Sequence, residues 1–154
     1  MNAEEVRQWV RQLDTAKSLD EERAWSQLKP LGIEVVPFLA EYYPRARKWQ
    51  GRAALVFHSV RYARTSEAAF QLGLAALQDK ATVVRYRACG LCAYSLRQEA
   101  IPRLKALLLH QDRETAADAK AAIDAISSRN HHFFVDRDHS GRSFWNVSEG
   151  DAMR

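Results

Sequence analysis

The sequence predicts an all-α fold: a short α-solenoid of stacked antiparallel helix pairs that ends in a β-hairpin or an extended tail. Apolar residues recur every three or four positions along most of the chain, which is the spacing of one helix face. The chain of 154 residues has only 6 Gly and 4 Pro, whereas a β-sandwich or barrel needs a turn about every 8–12 residues. Short motifs also recur with a period of about 33 residues, which indicates stacked helical repeats.

The helical domain is predicted to span residues 1–129, and residues 130–154 are predicted to form a tail packed on the last repeat. Ser66 and Thr82 are predicted to cap two of the helices. After a first helix that contains Val6 and Leu13, helices are predicted at about 19–28, 34–43, 48–63, 66–77, 82–96, 99–109 and 114–127. The predicted shared core contains Val84, Ala88, Leu91, Leu104 and Leu108.

The period rests on two pairs of matching motifs. Val-Pro-Phe-Leu at 36–39 matches Ile-Pro-Arg-Leu at 101–104, 65 positions later, and Gln-Asp at 78–79 recurs 33 positions later at 111–112. Each period holds one helix pair with an Asp in the turn between its helices. Since one pair cannot cover its own apolar face, stacked neighbours must supply the core, and the end repeats must be atypical caps.

The second half of the chain carries the runs Leu77-Gln78-Asp79, Val84-Arg85-Tyr86-Arg87-Ala88, Leu91, Ala100-Ile101-Pro102-Arg103-Leu104 and Leu107-Leu108. These runs resemble a HEAT repeat of the bacterial lyase-like subtype. The similarity covers about residues 34–126, and it fades upstream, where the bulky Trp49, Phe57 and Tyr62 replace the usual alanines. The resemblance implies the solenoid fold, but HEAT repeats serve scaffolds, inhibitors and nucleic-acid binders alike.

In a HEAT stack the second helices line a concave groove, so the resemblance implies a binding face on helix 82–96 and on its upstream counterpart. A helical wheel places this face opposite Val84. The predicted partner-binding residues on it are Arg61, Arg64, Tyr86, Arg87, Tyr94 and Arg97. Arg and Tyr are common at energetic hot spots, so the leading hypothesis is a non-catalytic protein-binding module, a scaffold or an immunity-like inhibitor. The alternative for this face is a solvated polar surface.

A nucleic-acid-binding module is the alternative function. Basic residues at 45, 47, 48 and 52 surround Trp49, and such a cluster can hold phosphates while the aromatic ring stacks on a base. The net charge of +4 is too modest to favour nucleic acid by itself. The other interpretation of the cluster is a solvated helix start with Trp49 packed inward.

The tail contains two aromatic and β-branched runs, 133–135 and 144–147, on either side of a polar turn. This pattern predicts a hairpin or an extended flap, with Trp145 or Phe134 offered to a partner. Within the turn, Asp136, Asp138 and Ser140 match the first oxygen ligands of a calcium loop. The turn preferences of Asp, Ser and Gly account for the same residues, and position 12 is Val147 instead of Glu. We therefore predict a structural turn, with calcium binding as the alternative.

No arrangement of a nucleophile and a base is discernible, so the sequence predicts no enzyme and no cofactor. Cys89 and Cys92 form a C-x-x-C within one helix and are interpreted as small core residues, because no second metal-ligand pair accompanies them. We expect a cytoplasmic protein of bacterial type: the two thiols are unsuited to a disulfide, and the chain shows neither a signal peptide nor a membrane span.

Overall fold

The computed structural model describes residues 1–147, which form eight α-helices, five short 3-10 helices and no strand. The fold is therefore all-α, as the helical spacing predicts. The helices are α1 (Ala3–Arg11), α2 (Ser18–Leu28), α3 (Val36–Tyr42), α4 (Trp49–Ser59), α5 (Glu67–Ala76), α6 (Thr82–Ser95), α7 (Ile101–Leu107) and α8 (Arg113–Ser127). Within this part of the chain, no helix combines the length and the apolar character that crossing a membrane requires. Residues 148–154, which as a chain end are predicted to be frayed, lie outside the described residues.

The helices pack as consecutive pairs. In each pair, α1 with α2, α3 with α4, α5 with α6 and α7 with α8, the two helices contact one another. The second helices α4, α6 and α8 also contact each other in succession, while α3 contacts both α1 and α5. As a result, α6 lies at the centre, with α4 on one side and α8 on the other.

A repeated ion pair joins the turn within one helix pair to the second helix of the preceding pair. The Asp79 carboxylate accepts hydrogen bonds from Arg52 Nε at 2.8 Å and from Arg52 Nη2 at 3.2 Å. The Asp112 carboxylate accepts one from Arg85 Nη2 at 2.9 Å. Both partners of the second pair lie 33 positions after those of the first, so the sequence period corresponds to a repeated side-chain contact.

The helix starts and the core follow the predictions with two exceptions. Ser66 caps α5 by accepting the Ala69 N–H, as expected, but Thr82 is the first residue of α6 and its hydroxyl donates to Asp112 instead. Val84, Ala88, Leu91 and Leu104 are fully buried. Leu108, however, is exposed and Leu107 is buried in its place, because α7 ends at Leu107 and the chain turns away there.

The tail forms no strand within the described residues, so the hairpin alternative is not found there. His131–Phe134 is instead a short 3-10 helix, which Asn130 caps by accepting the His132 N–H. This helix packs on α6 and α8 and buries Phe134. Residues 135–147 contain turns and irregular backbone, which agrees with the alternative of an extended tail.

Candidate functional site

The six residues predicted to line a groove do not share one surface. Tyr94 lies on the outward side of α6 but is only 4% exposed. Arg64 covers it, with the guanidinium 3.9 Å from the ring centroid and Nε donating to the Tyr94 carbonyl at 2.6 Å. His131, from the tail, contacts the same ring edge-on. Tyr94 is therefore covered instead of exposed on the groove, whereas Arg64 keeps an exposed side chain and its role in partner binding stays a prediction.

Arg97 also has an internal role. Its guanidinium stacks on the Phe70 ring at 3.7 Å from the centroid and pairs with Glu67 at 2.9 Å and with Glu99 at 2.5 Å. These hydrogen bonds, the one to Glu99 above all, raise the pKa of Arg97. Arg97 thus joins α5 to the start of the next pair, while its side chain stays 27% exposed and its assignment to the groove stays a prediction.

Trp145 anchors the tail instead of facing outward. Its ring is partly buried, 5.5 Å from the Phe134 ring and 6.1 Å from the Tyr94 ring between centroids. Its main-chain N–H donates to His132 Nδ1 at 2.9 Å, and its carbonyl accepts from His131 Nε2 at 3.0 Å. The indole is therefore partly buried against the helices, and its role in partner binding stays a prediction.

Of the six predicted groove residues only Tyr94 is buried, and three of the other five lie near aromatic rings of neighbouring helices. Tyr86 is 43% exposed. Arg87 is partly buried, lies 4.9 Å above the centroid of the Phe57 ring and donates to the Ala53 carbonyl at 3.1 Å. Arg61 lies 5.9 Å from the Trp25 ring and the same distance from the Tyr62 ring. These contacts place arginines among aromatic rings on the outward sides of α4 and α6.

Tyr86 and Arg87 belong to a larger patch, which we call the aromatic–arginine surface and define by Trp49, Phe57, Val83, Tyr86 and Arg87. Trp49 is 45% exposed and Phe57 is 50% exposed, both on α4. Val83, Tyr86 and Arg87 follow one another at helical spacing on α6. Exposed aromatic side chains grouped in this way are uncommon on a protein surface without a binding role.

Two cavities border this surface. One, of about 160 Å³, lies between α2, α4 and α6, and its lining includes Trp49, Arg87 and Glu21. The other, of about 440 Å³, lies between α6, α8 and the tail, and its lining includes Val83 and Tyr86. The surface therefore has a recess on each side.

A buried histidine, His58, is bonded to Glu21, which lines the first recess. His58 stacks on Trp25 with centroids 3.9 Å apart, and its Nε2 lies 3.0 Å from Glu21 Oε2. Burial lowers the pKa of His58, while the hydrogen bond from His58 lowers the pKa of Glu21. The pair is thus a neutral imidazole that donates to a carboxylate, and His58 Nδ1 has no hydrogen-bond partner among residues 1–147.

Arg87 supplies the positive charge of the surface. Burial lowers its pKa, yet a guanidinium stays protonated in proteins. No carboxylate within residues 1–147 lies within ion-pair distance of Arg87, although the negative charge of Glu21, which lines the same recess, counteracts the effect of burial on its pKa. The surface consequently presents a partly desolvated cation framed by aromatic rings.

The basic cluster at the start of α4 is divided by the structure. Arg52 is buried in its ion pair with Asp79, whereas Arg45, Arg47 and Lys48 are exposed. Trp49 is not packed inward, which corrects that interpretation of the cluster.

The polar turn of the tail satisfies its own acidic residue. Asp136 Oδ1 accepts from the Ser140 N–H at 3.1 Å and from the Ser140 hydroxyl at 2.6 Å, while Oδ2 accepts from the Gly141 N–H at 2.8 Å. The Ser140 hydroxyl is the main cause of the lowered pKa of Asp136. Across residues 1–147, no group of three or more His, Cys, Asp or Glu side chains could hold a metal ion. These bonds account for the turn as a structural element.

The two cysteines are fully buried and free. Burial raises the pKa of Cys89, and it raises that of Cys92 to about 12. Both side chains are therefore protonated thiols in the core and lack the thiolate that redox or metal chemistry requires.

Neither a family model nor a curated protein matches the chain. We therefore infer the function from the geometry of the aromatic–arginine surface. Sequence reasoning missed Phe57 and Val83 as members of this surface and left Trp49 undecided. The available signal was the departure from the repeat pattern, since Trp49 and Phe57 stand where the resemblance expects alanines.

Proposed function

We propose that the chain is a non-catalytic protein-binding module and that its aromatic–arginine surface is the binding site. The observation that carries the proposal is that Arg87 lies over the half-exposed Phe57 ring and lines a recess together with the half-exposed Trp49, while the exposed Tyr86 precedes it on α6. Aromatic residues and Arg dominate the energetics of protein interfaces because they bury much area and bind with defined geometry. A scaffold or an immunity-like inhibitor is the role that fits such a site on a small domain.

We further propose that the helix pairs form a short HEAT-type solenoid. The contacts among α4, α6 and α8 and the repeated Arg–Asp pairs, 33 positions apart, support this architecture. Within it, the aromatic–arginine surface occupies the side formed by the second helices, which is the binding side of such repeats. A cytoplasmic location belongs to the same proposal and is supported by the two buried thiols of α6.

The chemistry of the site favours a partner that presents a carboxylate next to apolar side chains. Among residues 1–147 the Ala53 carbonyl accepts a hydrogen bond from Arg87, and the guanidinium has further N–H donors. A carboxylate from a partner would meet this cation beside the rings of Phe57 and Trp49, where water is partly excluded and the ion pair is strengthened.

Nucleic acid is the second candidate, and one observation favours it. Trp49 is 45% exposed directly after Arg47 and Lys48, which are both exposed. A single-stranded nucleic acid would stack a base on this indole and place its phosphates near the two cations. Arg52 is buried in its ion pair with Asp79 and is not accessible to phosphates, which weakens this candidate.

Site-specific photocrosslinking separates the two candidates. A benzoylphenylalanine is placed at Phe57 and, as a matched control, at Leu109, which is 93% exposed in the turn before α8 and outside the surface. After irradiation in cells of the source organism, we expect a discrete protein adduct at position 57 that survives nuclease treatment. Nuclease-sensitive adducts would favour nucleic acid, and equal adducts at both positions would contradict the proposed site.

A further inference from the structure

The recess between α2, α4 and α6 is lined by two opposite charges that do not pair with each other. Glu21 on α2 and Arg87 on α6 both line it, together with Trp49 on α4. The hydrogen bond from His58 is the main cause of the lowered pKa of Glu21, and the charge of Arg87 adds to it. Within residues 1–147, however, the carboxylate and the guanidinium lie beyond ion-pair distance. The two charges thus border one space and influence each other without contact.

Neighbouring groups hold both charged side chains in position. The buried His58 donates from Nε2 to Glu21 Oε2 at 3.0 Å. Arg87 lies over the Phe57 ring and donates from Nη1 to the Ala53 carbonyl at 3.1 Å. In the part of the chain that the structure describes, neither side chain forms a further hydrogen bond. One carboxylate oxygen, Glu21 Oε1, is therefore available as an acceptor, and Arg87 Nε and Nη2 are available as donors.

These groups require a ligand that carries both charges. A carboxylate accepts hydrogen bonds from the Arg87 guanidinium, and an ammonium group donates to the Glu21 carboxylate. A ligand with only one of the two charges leaves the other group of the recess partly desolvated and without a partner, which costs free energy. The recess has a volume of about 160 Å³. Since a water occupies about 30 Å³ in the liquid, this volume suits a molecule of the size of a small amino acid.

We propose that this recess binds a compact zwitterion of the α-amino acid type, with its carboxylate on Arg87, its ammonium group on Glu21 and its side chain next to Trp49. Such a ligand occupies Arg87 where the proposed function places a carboxylate of the protein partner, so the ligand and the partner compete. The competition rests on the proposed function, whereas the binding of the zwitterion is a property of this chain alone.

NMR titration of the full chain, without any protein partner, tests the site. The probes are glycine, L-alanine and L-serine, and the signals are those of the Arg87 Nε–H and the Trp49 indole N–H, which both belong to the lining. We expect saturable shifts of both signals with at least one probe. The N-acetyl form of that amino acid lacks the ammonium group, and its amide lacks the carboxylate. Each should bind at least about tenfold more weakly, because each loses a hydrogen bond between charged groups.

Two variants of α2 complete the test. Glu21→Gln keeps an oxygen that accepts the His58 N–H but removes the charge, so it should weaken binding at least about tenfold. Glu22→Gln is the matched control with unchanged binding, because Glu22 is the neighbouring exposed carboxylate and does not line the recess.

The comparison of ligands on the wild-type chain decides the proposal even where a variant is destabilised. The absence of saturable shifts with all three amino acids would overturn it, and so would equal binding of the N-acetyl form. In the latter case the recess binds a carboxylate alone, which the proposed function also requires of Arg87. Failure of the zwitterion site is therefore distinguishable from failure of the protein-binding site, which the crosslinking at Phe57 tests.

Discussion

Replacement of Asp79 by Ala tests the ion pairs that join the helix pairs. The Asp79 carboxylate accepts two hydrogen bonds from Arg52, one from the Tyr43 hydroxyl at 2.5 Å and one from the Ala81 N–H at 2.9 Å. The side chains of Arg52 and Asp79 are almost fully buried. Removal of one partner from a buried pair costs about 3–5 kcal/mol, because the other charge is left without compensation. For a domain of this size, such a loss corresponds to a fall in the melting temperature of about 6–20 °C.

Urea denaturation followed by circular dichroism measures the change in the free energy of unfolding. Asp20→Ala is the matched control, because Asp20 pairs with Arg23 on the surface at 3.8 Å and such a pair contributes about 0–1 kcal/mol. The double variant Arg52→Met/Asp79→Leu should recover most of the stability, since no buried charge remains. A loss below about 1 kcal/mol for Asp79→Ala, or one equal to that of the control, would refute the reasoning.

Three further predictions concern a core leucine, two tyrosines of α6 and the buried His58. Leu91→Asp should unfold the domain, because it places a charge in a fully buried position; a soluble variant with an unchanged melting curve would contradict the placement. Tyr94→Ala should destabilise by about 3 kcal/mol, whereas Tyr86→Ala should cost about 1 kcal/mol or less in the same urea assay, because only Tyr94 is buried. Since the pKa of His58 is lowered from 6.5 in the folded state, its contribution to stability should be complete above pH 6.5 and decline as the pH falls towards the folded pKa. Urea midpoints of wild type and His58→Gln across this range measure it, and parallel curves would be the contrary result.

The helices and most of the core could be predicted from the sequence because both depend on local periodicity. The wheel of helix 82–96 placed Val84, Ala88 and Leu91 in the core, where they lie. The core prediction failed at Leu108, in the predicted helix 99–109. Helix α7 ends at Leu107, and periodicity does not specify where a helix stops.

The candidate site was predicted less well because its exposure depends on contacts between distant parts of the chain. The wheel placed Tyr94 on the outward side of α6 together with Tyr86, but nothing local to Tyr94 shows that His131 and Trp145 cover it. Trp145 was taken as exposed for the same reason. The hairpin prediction failed within the described residues because Asn130 caps a 3-10 helix, a short-range effect that outweighs the β propensity of the aromatic run.

The proposed binding site is tested most directly by the affinity of the crosslinked partner for three variants. Phe57→Ala and Arg87→Ala each remove one contact of the aromatic–arginine surface, and Leu109→Ala removes an exposed side chain outside it. Measured by calorimetry, Kd should rise about tenfold or more for the first two, or about 1.4 kcal/mol each, and stay unchanged for Leu109→Ala. A Kd that is the same in all three variants as in the wild type would contradict the proposed site.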